Sequence, residues 1–402
     1  MNIRDQYKVA VFTFIICFVG IGIGRYIYGP ILPQMIRKHW FSQSDASYIN
    51  AATFVGSVVG ALIFPYIEKY MNNKLNLLLI FAFIASLGVL GCSFNFGFQW
   101  QSFSRFITGL MTGALMVGIP SITLPMFDKN KKSFFTCFIF MSIGTSIIIQ
   151  GILLPVVLPY SILSSWMSIF VICIAAIIIC SFLKRNLSVV NVHKFPKKII
   201  KPNDYKKYVT SKLIVFIFLY TLSGIVILPQ CVLMNEYVVY SLNYTSFMSN
   251  NLWISLGLGI VVLTYTIGKI TIKIHTKYLL MLSYILALIS LMIFISSDCF
   301  NILLISNFLL GGCVGSYTAL SMSLLSEFVG RDIYAHIFRF LPCFASIGFA
   351  VGLYFIGYFQ SLGYDLHTIF IGVAVIAFIE VIFSTLIVIM HKTDIKLIIS
   401  TS

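Results

Sequence analysis

Long apolar stretches follow one another along almost the whole chain, each separated from the next by a short polar break. About 20 apolar residues is the length that carries a helix across a hydrocarbon core of roughly 30 Å. Twelve stretches meet that requirement, near 8–36, 45–67, 75–95, 99–126, 134–159, 164–183, 212–238, 244–268, 278–297, 300–327, 334–360 and 367–391. Period-two alternation is absent and the runs are too long for strands, so the pattern predicts an all-α integral membrane protein with twelve transmembrane helices. The first stretch is too long for a cleavable signal and no small-residue cleavage site follows it, so it is expected to stay as the first helix.

Composition supports the same class: of 402 residues, 59% are hydrophobic and 10% charged, more apolar surface than a soluble core of that length can bury. A net charge of +15 raises nucleic acid as a partner, and its placement argues against one. Of 27 Lys and Arg, 22 fall in the two tails or in alternate loops, nine of them between Lys184 and Lys212. The opposite loops carry Arg37 and Lys38 against Asp45, Glu236, Asp298 and Asp365. That bias predicts cytoplasmic N- and C-termini, and Trp40, Trp100 and Trp166 are expected to form an aromatic belt at the outer interface. The nine Cys show neither pairing nor metal spacing and read as small core residues. No metal, cofactor or phosphate-binding motif is present.

The tetrapeptide Ile31-Leu32-Pro33-Gln34 recurs as Ile227-Leu228-Pro229-Gln230, late in the first apolar stretch of each half. Phe106, Gly109 and Gly113 align with Phe308, Gly311 and Gly315 at constant offset, and Ser142-Ile143-Gly144 matches Ser346-Ile347-Gly348. With an even number of spans per half, this is a parallel duplication. It divides the chain into a six-helix bundle over 1–184, a basic cytoplasmic linker over 185–211 and a second six-helix bundle with a short cytoplasmic tail over 212–402. The two bundles are expected to be pseudo-symmetric.

Twelve spans, a central basic loop and a parallel duplication resemble the major facilitator superfamily (MFS) over nearly the whole chain. The run from Gly22 to Met35, GIGRYIYGPILPQM, is similar to the GIGRFxYxPLLPxM signature of its YbfB/YjiJ-like branch, and the small-residue-rich stretch from Ser44 to Leu62 continues it. Arg105 to Gly109 resembles the superfamily's RxxxG pattern in the fourth span. The loop signature between the second and third spans departs from the family: Gly60 and Leu62 are in place, but Phe64 and Pro65 occupy the Asp-Arg positions and charge moves to Glu68, Lys69 and Lys74. Gly144, Gly151 and Pro155 do not reproduce the Gly-Pro motif of drug/proton antiporters. The resemblance implies that the first, fourth, seventh and tenth spans line a central cavity.

Those spans carry most of the candidate residues. Arg25 lies about 5 Å beyond the middle of its helix, where an arginine costs about 2.5–3.5 kcal/mol and needs a partner or a wet cavity. Gly22, Tyr28 and Gly29 are its expected helical neighbours. Arg105, roughly 9 Å in from its helix end, can snorkel to water or turn inward. With Thr108 and Thr112 it forms a second cationic face, and two guanidinium groups suit a carboxylate or phosphate. The positions matching the arginines in the other half are Thr221 and Asn307; together with Tyr220, Gln230, Tyr317 and Ser321 they make a neutral second wall, or hydrogen-bond between helices. Glu380, near the centre of the last span, and Glu236, near the outer end of the seventh, are candidate proton carriers, Glu236 more simply as a solvated helix end. Glu327 and Arg331, spaced i, i+4, pair at the inner end of the tenth span and are gate candidates. Asp45 is expected to cap the second helix, and Arg339 to anchor the eleventh.

The expectation is a secondary active transporter of a small organic solute working by alternating access. Coupling is expected to be to protons, the cargo anionic, and the location a bacterial inner membrane. A drug or metabolite exporter of the same fold is the alternative within transport; a transport-dead sensor or scaffold is the alternative outside it. No nucleophile–base pair or metal cluster supports an enzyme. The expected partners are a small-molecule substrate, the lipid bilayer and a proton gradient, with no nucleic acid and no obligate protein partner.

Overall fold

Polar residues just ahead of the apolar runs start the helices. Ser42 and Asp45 form a reciprocal capping box, with Asp45 N–H donating to Ser42 Oγ at 3.2 Å and Ser42 N–H to Asp45 Oδ2 at 3.1 Å. Thr210 and Thr245 accept from the backbone N–H of Leu213 and Met248, each at 3.3 Å. In the computed structural model, residues 3–128, 132–185, 187, 210–271, 273–328 and 340–401 are described, except the side chains of 3, 132, 133, 326, 327 and 391–401. The described residues contain twelve helices long and apolar enough to cross a membrane. These are α1 (Arg4–Arg37), α2 (Gln43–Tyr70), α3 (Lys74–Gly91), α4 (Gly97–Met126), α5 (Phe134–Val157) and α6 (Ile162–Arg185), followed by α7 (Ser211–Tyr240), α8 (Ser246–Ile270), α9 (Thr276–Ser296), α10 (Phe300–Leu325), α11 (Leu341–Ser361) and α12 (Leu366–Met390). Most of the basic 185–211 segment lies outside the described residues, as do Arg331 and Arg339 and the Glu327 side chain.

Helix pairing in the first half recurs in the second. Helix α4 packs on α2 and α3, α3 on α6 and α1 on α5; likewise α10 packs on α8 and α9, α9 on α12 and α7 on α11. The halves meet where α5 packs on α8 and α2 on α11, with α1 against α7 between them. Small residues permit the closest approaches. Gly56 and Gly60 of α2 lie on the carbonyls of Phe106 and Leu110, while Gly109 and Gly113 of α4 lie on those of Thr53 and Ser57, so a Cβ at any of the four would collide with backbone. Gly259 on the Phe308 carbonyl and Gly311 on the Leu256 carbonyl repeat the arrangement between α8 and α10.

Helix α1 differs from the single regular helix its hydropathy predicts. It runs as α-helix over Ile3–Cys17, widens to π-helix over Phe18–Ile23 and returns to α-helical geometry through Ile27, whose N–H donates to the Ile23 carbonyl at 3.1 Å, into Tyr28–Arg37. Gly20, Gly22 and Gly24 bring this segment against Leu115, Ser146 and Thr112. Irregular backbone at this depth persists because it is surrounded by protein that can satisfy it.

Two expectations need correction. Trp166 is fully buried, packed 6.4 Å from the Tyr28 ring, and does not belong to an interfacial belt; Trp100 is anchored by its indole N–H on the Gly91 carbonyl at 2.8 Å. Eight of the nine Cys are buried as core residues, but Cys299 is exposed.

Candidate functional site

The irregular part of α1 leaves carbonyls that α4 takes up. Thr112 Oγ1 donates to the Gly20 carbonyl at 2.7 Å, and Arg105 donates from Nη1 to the Gly24 carbonyl at 2.9 Å and from Nη2 to the Arg25 carbonyl at 3.2 Å. Arg105 is therefore fully buried rather than snorkelled to water, with its guanidinium 5.0 Å over the Tyr28 ring. Thr108 bonds back to its own helix at Ser104 and packs against Gly24. Both Arg105 Nη groups are thus committed to backbone, leaving Nε buried without a partner, and the role of the side chain here is to hold the irregular part of α1.

Arg25 faces elsewhere. Its guanidinium lies between two aromatic rings, 5.3 Å from Phe54 of α2 and 5.6 Å from Phe349 of α11. Nη2 donates to Ser57 Oγ at 3.0 Å, and Ser57 hydrogen-bonds Ser346 of α11 at 3.0 Å. Nε is buried without a partner. Among the described residues no carboxylate lies within ion-pair distance of Arg25 or Arg105. Tyr28 does not share the surroundings of Arg25: its ring lies under the Arg105 guanidinium instead. Phe54, Ser57, Ser346 and Phe349 were missed as neighbours of Arg25. The one sequence signal was the Ser-Ile-Gly match that includes Ser346, since nothing in hydropathy says which helix crosses to the other half.

On the opposing half, Tyr220 and Tyr317 form a stack with ring centroids 4.7 Å apart, fixed by the Tyr317 hydroxyl donating to the Tyr220 carbonyl at 2.9 Å. Three other members of the expected second wall, Gln230, Thr221 and Asn307, make their contacts elsewhere. Gln230 Nε2 donates to Ser290 at 3.4 Å and Ser306 at 3.3 Å, joining α7 to α9 and α10, while Thr221 and Asn307 bond back to their own helices at Ile217 and Leu303. Tyr284 meets the Tyr317 ring edge-on at 6.4 Å with Ser321 at its hydroxyl, and both carboxylate oxygens of Glu380 are buried without partners, Glu380 being 0% exposed.

Glu236 is also 0% exposed, which overturns the solvated helix end. Its Oε1 accepts from Gln360 Nε2 at 3.1 Å, and Gln360 Oε1 accepts from Ser47 Oγ at 2.7 Å, so α7, α11 and α2 are linked across the halves. At the same end of the molecule the Tyr240 hydroxyl donates to the Pro33 carbonyl at 2.8 Å and Gln34 Nε2 to Ser246 Oγ at 3.3 Å. At the other end of α2, Glu68 pairs with Lys74 at 2.7 Å, so the displaced charges of the altered loop signature meet each other. Of the gate candidates, the Glu327 side chain and Arg331 fall outside what is described.

Twelve membrane-length helices, repeated pairing between the halves and buried polar groups at their junction define a multi-pass membrane transporter. Residues 17–390 match the family model described as "Uncharacterised MFS-type transporter YbfB", and the chain belongs to that family of the MFS. A comparison with curated proteins found no match.

Proposed function

We propose that the chain is a secondary active transporter that moves a small organic anion by rocker-switch alternating access, coupled to proton movement. The observation that carries this reading is Arg25: a buried cation at the junction of α1, α2 and α11 whose protein partners are one hydroxyl and two aromatic rings. A cation so placed is costly unless its charge is met, and a carboxylate cargo meets it while using the unpaired Nε–H. The moving bodies are residues 1–184 and 212–402, joined by the 185–211 linker. The chain sits in a bacterial inner membrane with both termini cytoplasmic, an orientation supported by the Lys and Arg bias of its loops. Glu380 is the proposed proton carrier: it is a carboxyl buried in α12 with neither oxygen hydrogen-bonded, so its proton leaves only in a state of the cycle that brings it to water.

The test is a thermal-shift screen of the purified protein against metabolites and drugs, repeated with Arg25→Ala. A ligand at ten-fold excess over Kd stabilises its target by about 1.4 kcal/mol. Anionic hits that vanish in the variant support the reading. Cationic or lipophilic hits that survive it sink the anion assignment.

A further inference from the structure

Glu236 is sealed at an end where the two halves are hydrogen-bonded to each other, and the transport reading above leaves it without a task. Its Oε1 accepts from Gln360 Nε2 of α11 at 3.1 Å, while Oε2 is buried without a partner. Ser47 of α2 completes the chain by donating to Gln360 Oε1 at 2.7 Å, so a carboxyl of the second half holds a link whose far end belongs to the first. Its surroundings supply no counter-charge. Tyr28 of α1 and Tyr240 of its own helix face it with phenols. The Arg105 guanidinium lies over the Tyr28 ring and Arg37 meets the Tyr240 hydroxyl, and among the described residues no cation is within ion-pair distance of the carboxyl. From α12, His367 stacks on the neighbouring Tyr237 at 6.4 Å, and Asp298 and Asp365 also face that residue. On α2, Asp45 is turned to its cap with Ser42, and α8 and α11 bring no charged side chain to this end. An ionised carboxylate here would be sealed from water against a single neutral amide, which is strongly unfavourable.

We infer that Glu236 is a proton-operated latch: this end of the transporter closes with the carboxyl neutral and opens when water reaches the carboxyl and takes its proton. The inference rests on the rocker-switch reading above, and on neither the anionic cargo nor Glu380. With Oε1 accepting from Gln360, the proton sits on Oε2. Opening transfers it to a water molecule and leaves a hydrated carboxylate; closing reverses the transfer. The proton comes from and returns to the side on which this end opens, so it is not carried across the membrane and serves only to bias the cycle. A water-exposed glutamate is ionised above about pH 4–5, whereas the sealed one is neutral, so the closed state binds one proton more and a rising pH favours opening. In the orientation proposed above this is the outer end, and acid outside the membrane holds it shut.

The experiment places spin labels on Lys38→Cys and Ser241→Cys, exposed positions at this end on opposite halves, in the full chain carrying Cys299→Ser. The distance between the labels is measured by pulsed electron paramagnetic resonance in lipid nanodiscs without cargo, from about pH 5 to about pH 9. The ratio of the long-distance to the short-distance population is expected to rise with pH by up to about ten-fold per pH unit, the slope of one proton. Glu236→Gln keeps an acceptor for Gln360 and cannot ionise, and Glu236→Met cannot ionise either; in both the ratio should ignore pH. Gln360→Leu removes the hydrogen bond but leaves the acid, so it should shift the ratio toward the open state at every pH and keep the slope, which a purely structural link would not show. Two populations whose ratio ignores pH in the labelled parent, or a slope that survives in either Glu236 variant, overturns the latch and leaves rocking intact. The slope of the parent is read with Glu236 unchanged, so it does not depend on how those variants fold. A single distance under every condition and in every variant overturns the rocker-switch reading and the latch with it.

Discussion

Two arginines at similar depth in neighbouring helices carry opposite assignments because of what their N–H groups meet. Arg105 spends its fork on the Gly24 and Arg25 carbonyls, so Arg105→Ala removes two charge-assisted bonds and leaves both carbonyls buried. Each such bond contributes about 1.5–3 kcal/mol, and a loss of about 3 kcal/mol in stability is expected, read as a lowered melting temperature in detergent without ligand. Arg25 donates once, to a hydroxyl, and stacks between rings. Arg25→Lys keeps the charge and loses the planar fork, so it should leave ligand-free stability nearly unchanged while weakening an anionic cargo about ten-fold or more. If instead Arg25→Lys melts early and Arg105→Ala does not, the two roles are exchanged. Sequence placed both residues by rise per residue, which gives depth in the membrane and says nothing of azimuth. That is why Tyr28 was grouped with Arg25 although its ring lies under Arg105. Glu236 shows the same limit: a position near a helix end reads as solvated, yet Gln360 from the other end of the chain covers it. At Glu380 a different experiment applies. Its carboxylate has no hydrogen bond to lose, so Glu380→Gln should fold and bind cargo normally yet transport without dependence on the proton gradient, measured as uptake into proteoliposomes with and without an imposed pH difference.

At the scale of elements, the glycines of α2, α4, α8 and α10 set how closely the helices lie, and the collisions they avoid are with backbone, which cannot rotate aside. Gly109→Val and Gly311→Val should each destabilise by about 1–3 kcal/mol, since overpacking at a backbone contact cannot be relieved by a rotamer change. Equal costs at the two sites would follow from their equivalent packing, on the Thr53 and Leu256 carbonyls. Unchanged stability in both would show that the helices can separate freely. The twelve helices and the repeat were legible because hydropathy over some 20 residues and a fixed offset both survive as linear patterns. The π-helical segment of α1 was not. Its two glycines, Gly20 and Gly22, carry no linear signal of it, because the carbonyls in and just after it are taken up by Thr112 and Arg105, some 80 residues or more away in the chain. Even the repeated tetrapeptide has diverged in use, for Gln34 reaches α8 across the halves while Gln230 stays within its own half.

For the whole molecule, the polar links between the halves among the described residues gather at one end, apart from the Ser57–Ser346 hydrogen bond beside Arg25. Tyr240 to Pro33, Gln34 to Ser246, and Ser47 through Gln360 to Glu236 join α1, α2, α7, α8 and α11 where α1 ends and α2 begins. All are single hydrogen bonds between neutral groups or to one carboxyl, each contributing about 0.5–3 kcal/mol, so together they hold this end shut without making opening prohibitive. A rocker-switch carrier must break every one of them each cycle, and preventing that should stop transport while leaving binding from the other side intact. The pair Gln34→Cys and Ser246→Cys, introduced with Cys299→Ser so that no exposed native thiol competes, tests this with a short bifunctional thiol reagent. Cross-linked protein is expected to lose most of its proteoliposome transport and to keep its thermal shift with cargo; reduction of a cleavable reagent should restore activity. Transport that continues after complete cross-linking would mean that these contacts stay closed throughout the cycle and that the halves do not rock about this end.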